Sequence, residues 1–217
     1  MGSILYINLP NIVSVLGVLP IYLLLLEGGY KYLIPLMIYN NIMDDLDGML
    51  AIKLNLKSRF GAVLDNVCDV VTHTFFVLTV GMYYGGICGV ASLLAVVGIL
   101  LRVVSRLENL SQQGRGSPTN ELIRHLLLLL LTAQILEFNP SLFLASLFVL
   151  HTVSMLVPFP MPHLLRSRAR SVTAISLVNL SLVVAWLVAP VTVIIAFCFL
   201  IAYLYSFMLS GFRWLKN

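Results

Sequence analysis

Charged side chains are scarce in this sequence of 217 residues, where Asp, Glu, Lys and Arg together make up only 10%. A typical soluble domain carries about 25% charged residues. With 60% hydrophobic residues and a mean hydropathy of +1.00, the chain cannot form a polar surface facing water, and we expect a lipid bilayer to be its solvent. The length excludes a sizeable soluble domain beside one membrane domain.

Cysteine is also rare. Cys68, Cys88 and Cys198 show no CxxC or other ligand spacing, so we interpret them as small apolar fillers that carry no redox information. No internal repeat or low-complexity segment is present. The longest polar stretch, residues 108–120, is predicted to be a loop.

The apolar residues fall into eight stretches of roughly the length a transmembrane helix needs, which is about 20 residues. Turn-forming pairs such as Gly85-Gly86 and Asn139-Pro140 separate them. The predicted spans are residues 10–27, 31–55, 59–84, 86–106, 120–136, 140–157, 171–189 and 190–210. The sequence therefore predicts an all-α polytopic membrane protein with one domain over residues 1–217.

The basic residues orient these spans. If the N-terminus is cytoplasmic, twelve of the 13 Lys and Arg residues lie in or beside segments on the inner side, and only Lys31 lies outside. Arg124 belongs to the inner group and is explained by topology. The inner segments are residues 56–58, 107–119, 158–170 and 211–217. This positive-inside asymmetry predicts a multi-pass protein of the cytoplasmic membrane with both ends inside.

Carboxylates are concentrated in one region, because five of the nine lie between Asp44 and Asp69 among apolar residues. A charge in the bilayer core costs at least ~2.5–3.5 kcal/mol on insertion scales, and clustered aspartates repel one another. Such a cluster persists only where cations or function require it. A cation-coupled transporter would also need intramembrane carboxylates, and it is the alternative from another functional class.

The spacing of the aspartates predicts how they meet. Asp44 and Asp47 are i,i+3, and Asp65 and Asp69 are i,i+4, so each pair shares a helix face. Counting from a turn near residues 56 and 57, Asp47 and Asp65 lie ~12–14 Å along their helices. Asp44 and Asp69 lie one level further, at ~18–20 Å. An antiparallel hairpin then brings the four together as two facing pairs, an all-oxygen set that suits Mg²⁺ or Mn²⁺. Asp45 points ~100° away from Asp44 and is not assigned as a ligand.

These residues closely resemble the signature of the CDP-alcohol phosphotransferase family. Seven of eight signature positions match, namely Asp44-x2-Asp47-Gly48-x2-Ala51, nine further residues, and Gly61-x3-Asp65-x3-Asp69. The family has an Arg after the Ala, where this chain has Ile52 followed by Lys53. An Arg would provide a fixed fork for diphosphate oxygens, and Lys53 could replace it only by bending back. Pro10-Asn11 also resembles the start of the family's first helix.

The resemblance implies a six-helix transferase core, extended here by two further transmembrane helices, and a homodimer. It implies a CDP-lipid donor, a small alcohol acceptor and CMP as product, with the active site facing the cytoplasm. Two Mg²⁺ or Mn²⁺ ions would be bound by Asp44, Asp47, Asp65 and Asp69, with Asp69 also the catalytic base. The residues assigned to the nucleotide and CDP-lipid are Asn11, Gly48, Ala51, Lys53, Ser58 and Gly61, and those assigned to the acceptor are Arg102, Arg106 and Arg115. We expect membrane lipids as partners of the protein, and we expect no nucleic acid.

A weaker resemblance concerns the acceptor. Ser58-x-Phe60-Gly61 and the segment that starts at Asp69 are similar to the phosphatidylserine synthase branch, which favours L-serine and a role in phospholipid biosynthesis. Asn66 and His73 depart from that branch. Glycerol-phosphate and inositol-phosphate acceptors stay open, because the basic residues beside the inner loops could bind a phosphate.

Overall fold

The computed structural model describes residues 2–108, 118–157 and 172–216. Every regular element in this part of the chain is a helix, so the predicted all-α architecture is confirmed. The α-helices are α1 (Gly2–Ile7), α2 (Leu9–Val18), α3 (Leu33–Lys53), α4 (Arg59–Tyr84), α5 (Gly86–Glu108), α6 (Pro118–Ile135), α7 (Ser141–Leu156), α8 (Val172–Leu187) and α9 (Ala189–Lys216). Two short 3-10 helices, Leu19–Leu25 and Gly29–Tyr32, connect α2 to α3.

Three of the described helices are long and apolar enough to cross a membrane, namely α4, the Gly86–Ser105 part of α5, and α9. Leu9–Leu25, α7 and α8 are apolar but shorter. The helices α3 and α6 carry charged residues in their interiors, which lowers their hydropathy. The chain is thus an all-α polytopic membrane protein in which the two most polar helices are packed among apolar ones.

The first predicted span, residues 10–27, differs from a regular helix. α2 ends at Val18, and the chain continues as a 3-10 helix that contains Pro20. Proline has no backbone N–H and its ring collides with the preceding turn, so an α-helix cannot continue unchanged through it. The apolar stretch was predicted from the sequence, but this break was not.

α4 and α5 form an antiparallel hairpin. Its turn is built by Gly85 and Gly86, whose φ angles of 62° and 49° are disfavoured for residues with a Cβ atom. α5 also packs along α7, and buried side chains such as Phe76, Ile99 and Phe148 form the core of this half of the bundle.

The other half of the bundle surrounds α3. α2 packs against both α3 and α4, whereas α3 and α4 contact each other over a shorter length. α6 packs against α7 and α9, and both α6 and α8 contact α3. The arrangement leaves a cleft between α2, α3 and α4, and the aspartates lie in it.

Candidate metal site

The starting point of α4 sets the position of its two aspartates. Ser58 precedes the helix with extended backbone angles (φ −137°, ψ 155°) and accepts a hydrogen bond from the Gly61 N–H at 2.9 Å. This is the geometry of an N-cap, which satisfies a backbone donor that has no partner within the helix. Asp65 and Asp69 follow on successive turns and project into the cleft.

Three carboxylates converge in the cleft. One oxygen from each of Asp44, Asp47 and Asp65 lies within 4.8 Å of the other two. Asp47 is only 5% exposed, and the other two are half-buried. Three carboxylates this close repel one another where water is partly excluded, and a bound cation would relieve that repulsion. Carboxylate oxygens are the donors that Mg²⁺ and Mn²⁺ prefer, and this donor set fits such an ion.

Asp69 is placed in the same cleft but outside the closest group. It is 7% exposed and lines the cleft together with Ser14, Gly17, Asn40, Asp44, Asp47, Asp65 and Cys68. On the following turn of α4, His73 Nε2 lies 3.9 Å from Asp69 Oδ1. The structure thus brings all four predicted aspartates to one cleft, and it separates Asp69 from the three that converge.

Two neutral side chains that the sequence analysis missed hold the aspartates of α3. The Ser14 hydroxyl of α2 donates to Asp47 Oδ2. The Asn120 amide of α6 donates to Asp44 Oδ2 at 2.7 Å. Ser14 lies four residues after Pro10, and Asn120 lies in the first turn of its helix. Ser14 lies inside α2 and Asn120 near the start of α6, and nothing in the neighbouring sequence marks either as a partner of an aspartate, so only the tertiary contact identifies them.

The residues predicted to bind the nucleotide and the CDP-lipid lie on α2, in the C-terminal part of α3, and at the N-cap and first turn of α4. A Cβ atom at Gly48 would meet nothing within 4 Å, whereas one at Gly61 would lie 2.9 Å from Asn11 Oδ1. Gly48 therefore leaves the backbone of α3 open to a ligand, and Gly61 allows α2 to approach α4. Ala51 is half-buried, and Lys53 is exposed as the last residue of α3.

The position of the missing family arginine is accessible. Ile52 is 60% exposed, so its side chain points away from the buried part of the bundle. Lys53 is also exposed and lies at the helix end, where a long flexible stem can turn towards neighbouring polar groups. No contact between Lys53 and the aspartates occurs among the described residues.

Of the three arginines predicted to bind the acceptor, the structure describes only the side chain of Arg102. Arg102 is half-buried on α5 and does not line the cleft. Arg115 and the side chain of Arg106 lie outside the described residues.

The position of Arg124 differs from the one that was inferred from the sequence. It was assigned to topology at the edge of an inner loop, but it is only 1% exposed and forms an ion pair with Glu121. Asp45, which was assigned no role, is fully buried and contacts Arg124 and Asn179 rather than the metal-candidate carboxylates. The sequence did indicate a polar contact here, because Asn41 and Asp45 are polar residues at i,i+4 in an otherwise apolar helix.

The fold and the cleft define an all-helical membrane protein with an acidic, oxygen-rich site between α3 and α4. A model of the CDP-alcohol phosphatidyltransferase family matches residues 7–204, and the chain belongs to this family. The resemblance that was drawn from the signature residues is confirmed.

One curated relative is a CDP-diacylglycerol–glycerol-3-phosphate 3-phosphatidyltransferase from Aquifex aeolicus (strain VF5). The chain is 40% identical to it over 75 residues. The matched stretch covers 33% of this chain and 41% of the relative. It therefore spans less than half of that protein's length.

Proposed function

We propose that this protein transfers a phosphatidyl-type group from a CDP-lipid to the hydroxyl of a small alcohol, with release of CMP, in phospholipid biosynthesis. The observation that carries the proposal is the convergence of Asp44, Asp47 and Asp65 within 4.8 Å, beside Asp69 in one cleft. The family to which the chain belongs supports the same reaction class.

In this proposal the four aspartates hold two Mg²⁺ or Mn²⁺ ions. When bound, such ions neutralise the donor diphosphate and stabilise the charge that develops on the departing phosphate. Ser14 and Asn120 orient the carboxylates of Asp47 and Asp44 through neutral hydrogen bonds. These neighbours leave the negative charge of both carboxylates available for cations.

Asp69 is the proposed general base. Its carboxylate accepts the proton of the acceptor hydroxyl as the hydroxyl oxygen forms a bond to the lipid-linked phosphorus. The bond from that phosphorus to the CMP oxygen breaks, and CMP leaves. His73 Nε2 lies 3.9 Å from the Asp69 carboxylate, on the following turn of α4.

The donor would lie across the open backbone at Gly48. An apolar groove lined by Ile12, Val15, Leu16 and Leu64 opens beside Asn11. This groove suits an acyl or alkyl chain of the donor, because it lies on the α2–α4 surface next to the aspartate cleft.

L-Serine is the acceptor that we propose from the similarity of the signature region to the phosphatidylserine synthase branch. Glycerol-3-phosphate is the second candidate, because the 75-residue match is to a protein named for that acceptor. No Lys or Arg side chain lines the described cleft, so recognition of a phosphate would depend on residues outside it.

An acceptor screen tests the reaction and distinguishes these acceptors. Purified protein with CDP-diacylglycerol and Mn²⁺ is incubated with L-serine, glycerol-3-phosphate or inositol phosphate, and CMP release is measured. We expect release with one acceptor, abolished by a chelator. Release of no CMP with any acceptor, together with cation flux in proteoliposomes, would instead support a transporter.

We further propose that the protein is a homodimer in the cytoplasmic membrane with the active site on the cytoplasmic side. Twelve basic residues at the inner segments support this orientation. In a cysteine-free background, single cysteines at positions 57, 115 and 168 should resist an impermeant thiol reagent added to intact cells. Labelling at all three positions would reverse the orientation.

A further inference from the structure

A buried polar cluster lies on another face of α3 from the one that presents Asp44. At its centre, the Arg124 guanidinium of α6 donates from Nε to Asn41 Oδ1 at 2.9 Å and from Nη1 to Glu121 Oε1 at 3.0 Å. Its Nη2 lies 3.9 Å from Asp45 Oδ2. We call these residues, together with Asn179, the Arg124 cluster.

Asn179 brings α8 into the cluster. Its Nδ2 donates to Asp45 Oδ2 at 2.7 Å, and its Oδ1 accepts from Asn41 Nδ2 at 2.6 Å. One amide of α8 therefore bridges two residues of α3 that lie one turn apart. Both bonds are partly shielded from water, which competes for them less than at an exposed surface.

Stability alone does not explain a cluster of this kind. Burying a guanidinium with carboxylates carries a desolvation penalty that can exceed the attraction between them, and apolar residues of similar size often stabilise a fold as well or better. The best supported use of such groups is to select one arrangement of helices among several. The arrangement that is selected here concerns α3.

The cluster fixes how α3 is rotated about its axis. Asn41 and Asp45 share one face of the helix because they are i,i+4, and both are held by α6 and α8. Asp44 and Asp47 project from the adjoining face of the same rigid helix. α6 also reaches that face, since Asn120, one turn before Arg124, donates to Asp44 at 2.7 Å.

We propose that Arg124, Asp45 and Asn179 are positioning residues, which set the rotation of α3 so that Asp44 and Asp47 meet Asp65 at the spacing a divalent cation requires. This inference rests on the proposed metal-dependent transfer. None of the three is proposed to touch the cation or a substrate. α8 thus shapes the metal site without contributing a ligand to it.

Binding of Mn²⁺ to the purified, substrate-free protein tests the inference, with free Mn²⁺ measured by electron paramagnetic resonance. Asn179→Ala and Arg124→Lys both keep the net charge, so a change in affinity cannot come from a change in charge. Lysine keeps the positive charge but loses the planar fork that reaches several oxygens at once. We expect each variant to weaken Mn²⁺ binding by about 5- to 150-fold, the range of coupling between separate sites.

The matched control is Thr192→Val, which removes another buried hydrogen bond of α8. The Thr192 hydroxyl of α9 donates to the Ala185 carbonyl of α8 at 2.5 Å, six residues after Asn179 and outside the Arg124 cluster. A purely structural role for Asn179 predicts that its alanine variant and the control lower the melting temperature alike and leave Mn²⁺ affinity unchanged. The positioning role predicts that only the Asn179 and Arg124 variants lose affinity.

The outcomes separate this inference from the proposed function. If the wild type binds Mn²⁺ and Asn179→Ala, folded by circular dichroism, binds it equally well, the positioning role is wrong and the proposed function stands. If Arg124→Lys does not fold, Asn179→Ala decides alone. If the wild type binds no Mn²⁺, the proposed function and this inference are both wrong.

Discussion

The placement of Asp69 leads to a prediction that separates chemistry from metal binding. Asp69 lines the same cleft as Asp44, Asp47 and Asp65, yet it is not one of the three whose oxygens lie within 4.8 Å of one another. Asp69→Asn keeps the size and shape of the side chain and removes its ability to accept a proton. The three converging carboxylates remain.

The expected magnitude follows from the role of a general base. A positioned base contributes about 10²- to 10⁴-fold to the rate, which corresponds to roughly 3–5 kcal/mol of barrier. We therefore expect Asp69→Asn to lower kcat by about 10²- to 10⁴-fold. Because Asp69 is also one of the four proposed ligands, Mn²⁺ affinity should fall as well, but less than when one of the three converging carboxylates is changed.

Asp65→Asn is the matched comparison, since it makes the same chemical change one turn earlier on α4. It removes the charge of one of the three converging carboxylates, so Mn²⁺ binding and turnover should be lost together. CMP release at saturating Mn²⁺ reports turnover, and electron paramagnetic resonance reports binding.

Two results would refute this reasoning. Near-normal CMP release by Asp69→Asn would show that Asp69 is not the base. A loss of Mn²⁺ affinity in Asp69→Asn as large as that in Asp65→Asn would show that Asp69 acts chiefly as a ligand. In that case the separation of Asp69 from the other three carboxylates would have no functional meaning.

Four further substitutions test other parts of the site. Ser14→Ala removes the hydroxyl donor to buried Asp47, and losing a hydrogen bond to a charged group costs about 1.5–3 kcal/mol. The melting temperature in chelator should therefore fall by several degrees. A fall in melting temperature that Mn²⁺ does not reduce would contradict a role at the metal site. Gly61→Ala places a Cβ atom 2.9 Å from a side-chain oxygen of α2, so donor KM should rise, and an unchanged KM would mean that the contact relaxes freely. If Lys53 replaces the family arginine, Lys53→Ala should raise donor KM about 10-fold or more and Ile52→Arg should change it little. A silent Lys53→Ala together with a lower donor KM in Ile52→Arg would show that no residue fills the role of the arginine.

Much of the fold could be predicted because the solvent of the chain dictates its pattern. Apolar stretches separated by turn residues located the helices, and Gly85-Gly86 does form the turn between α4 and α5. The break after Val18 was missed, since a single proline inside an apolar stretch does not reveal whether the helix kinks, ends or tightens.

The aspartate cleft was predictable for a different reason. Spacings of i,i+3 and i,i+4 fix which residues share a helix face, and the short α3–α4 connection limits how the two faces meet. The donors Ser14, Asn120 and Asn179 come from three other helices. Their contacts depend on how distant segments pack, and no local pattern in the sequence contains that information.

The three aspartates of α3 show how packing divides residues that look alike in the sequence. Asp44, Asp45 and Asp47 lie within about one turn in an apolar helix, and each meets a different neighbour. Asp44 and Asp47 receive hydrogen bonds from the neutral groups of Asn120 and Ser14, so their charges are left for a cation. Asp45 instead faces the Arg124 guanidinium, a positive charge that it shares with Glu121. A carboxylate that lies beside a positive charge of the protein has less need of a metal ion than one whose described hydrogen bond comes from a neutral donor. The charge of the neighbour, more than the aspartate itself, therefore distinguishes the proposed ligands from the residue that positions them.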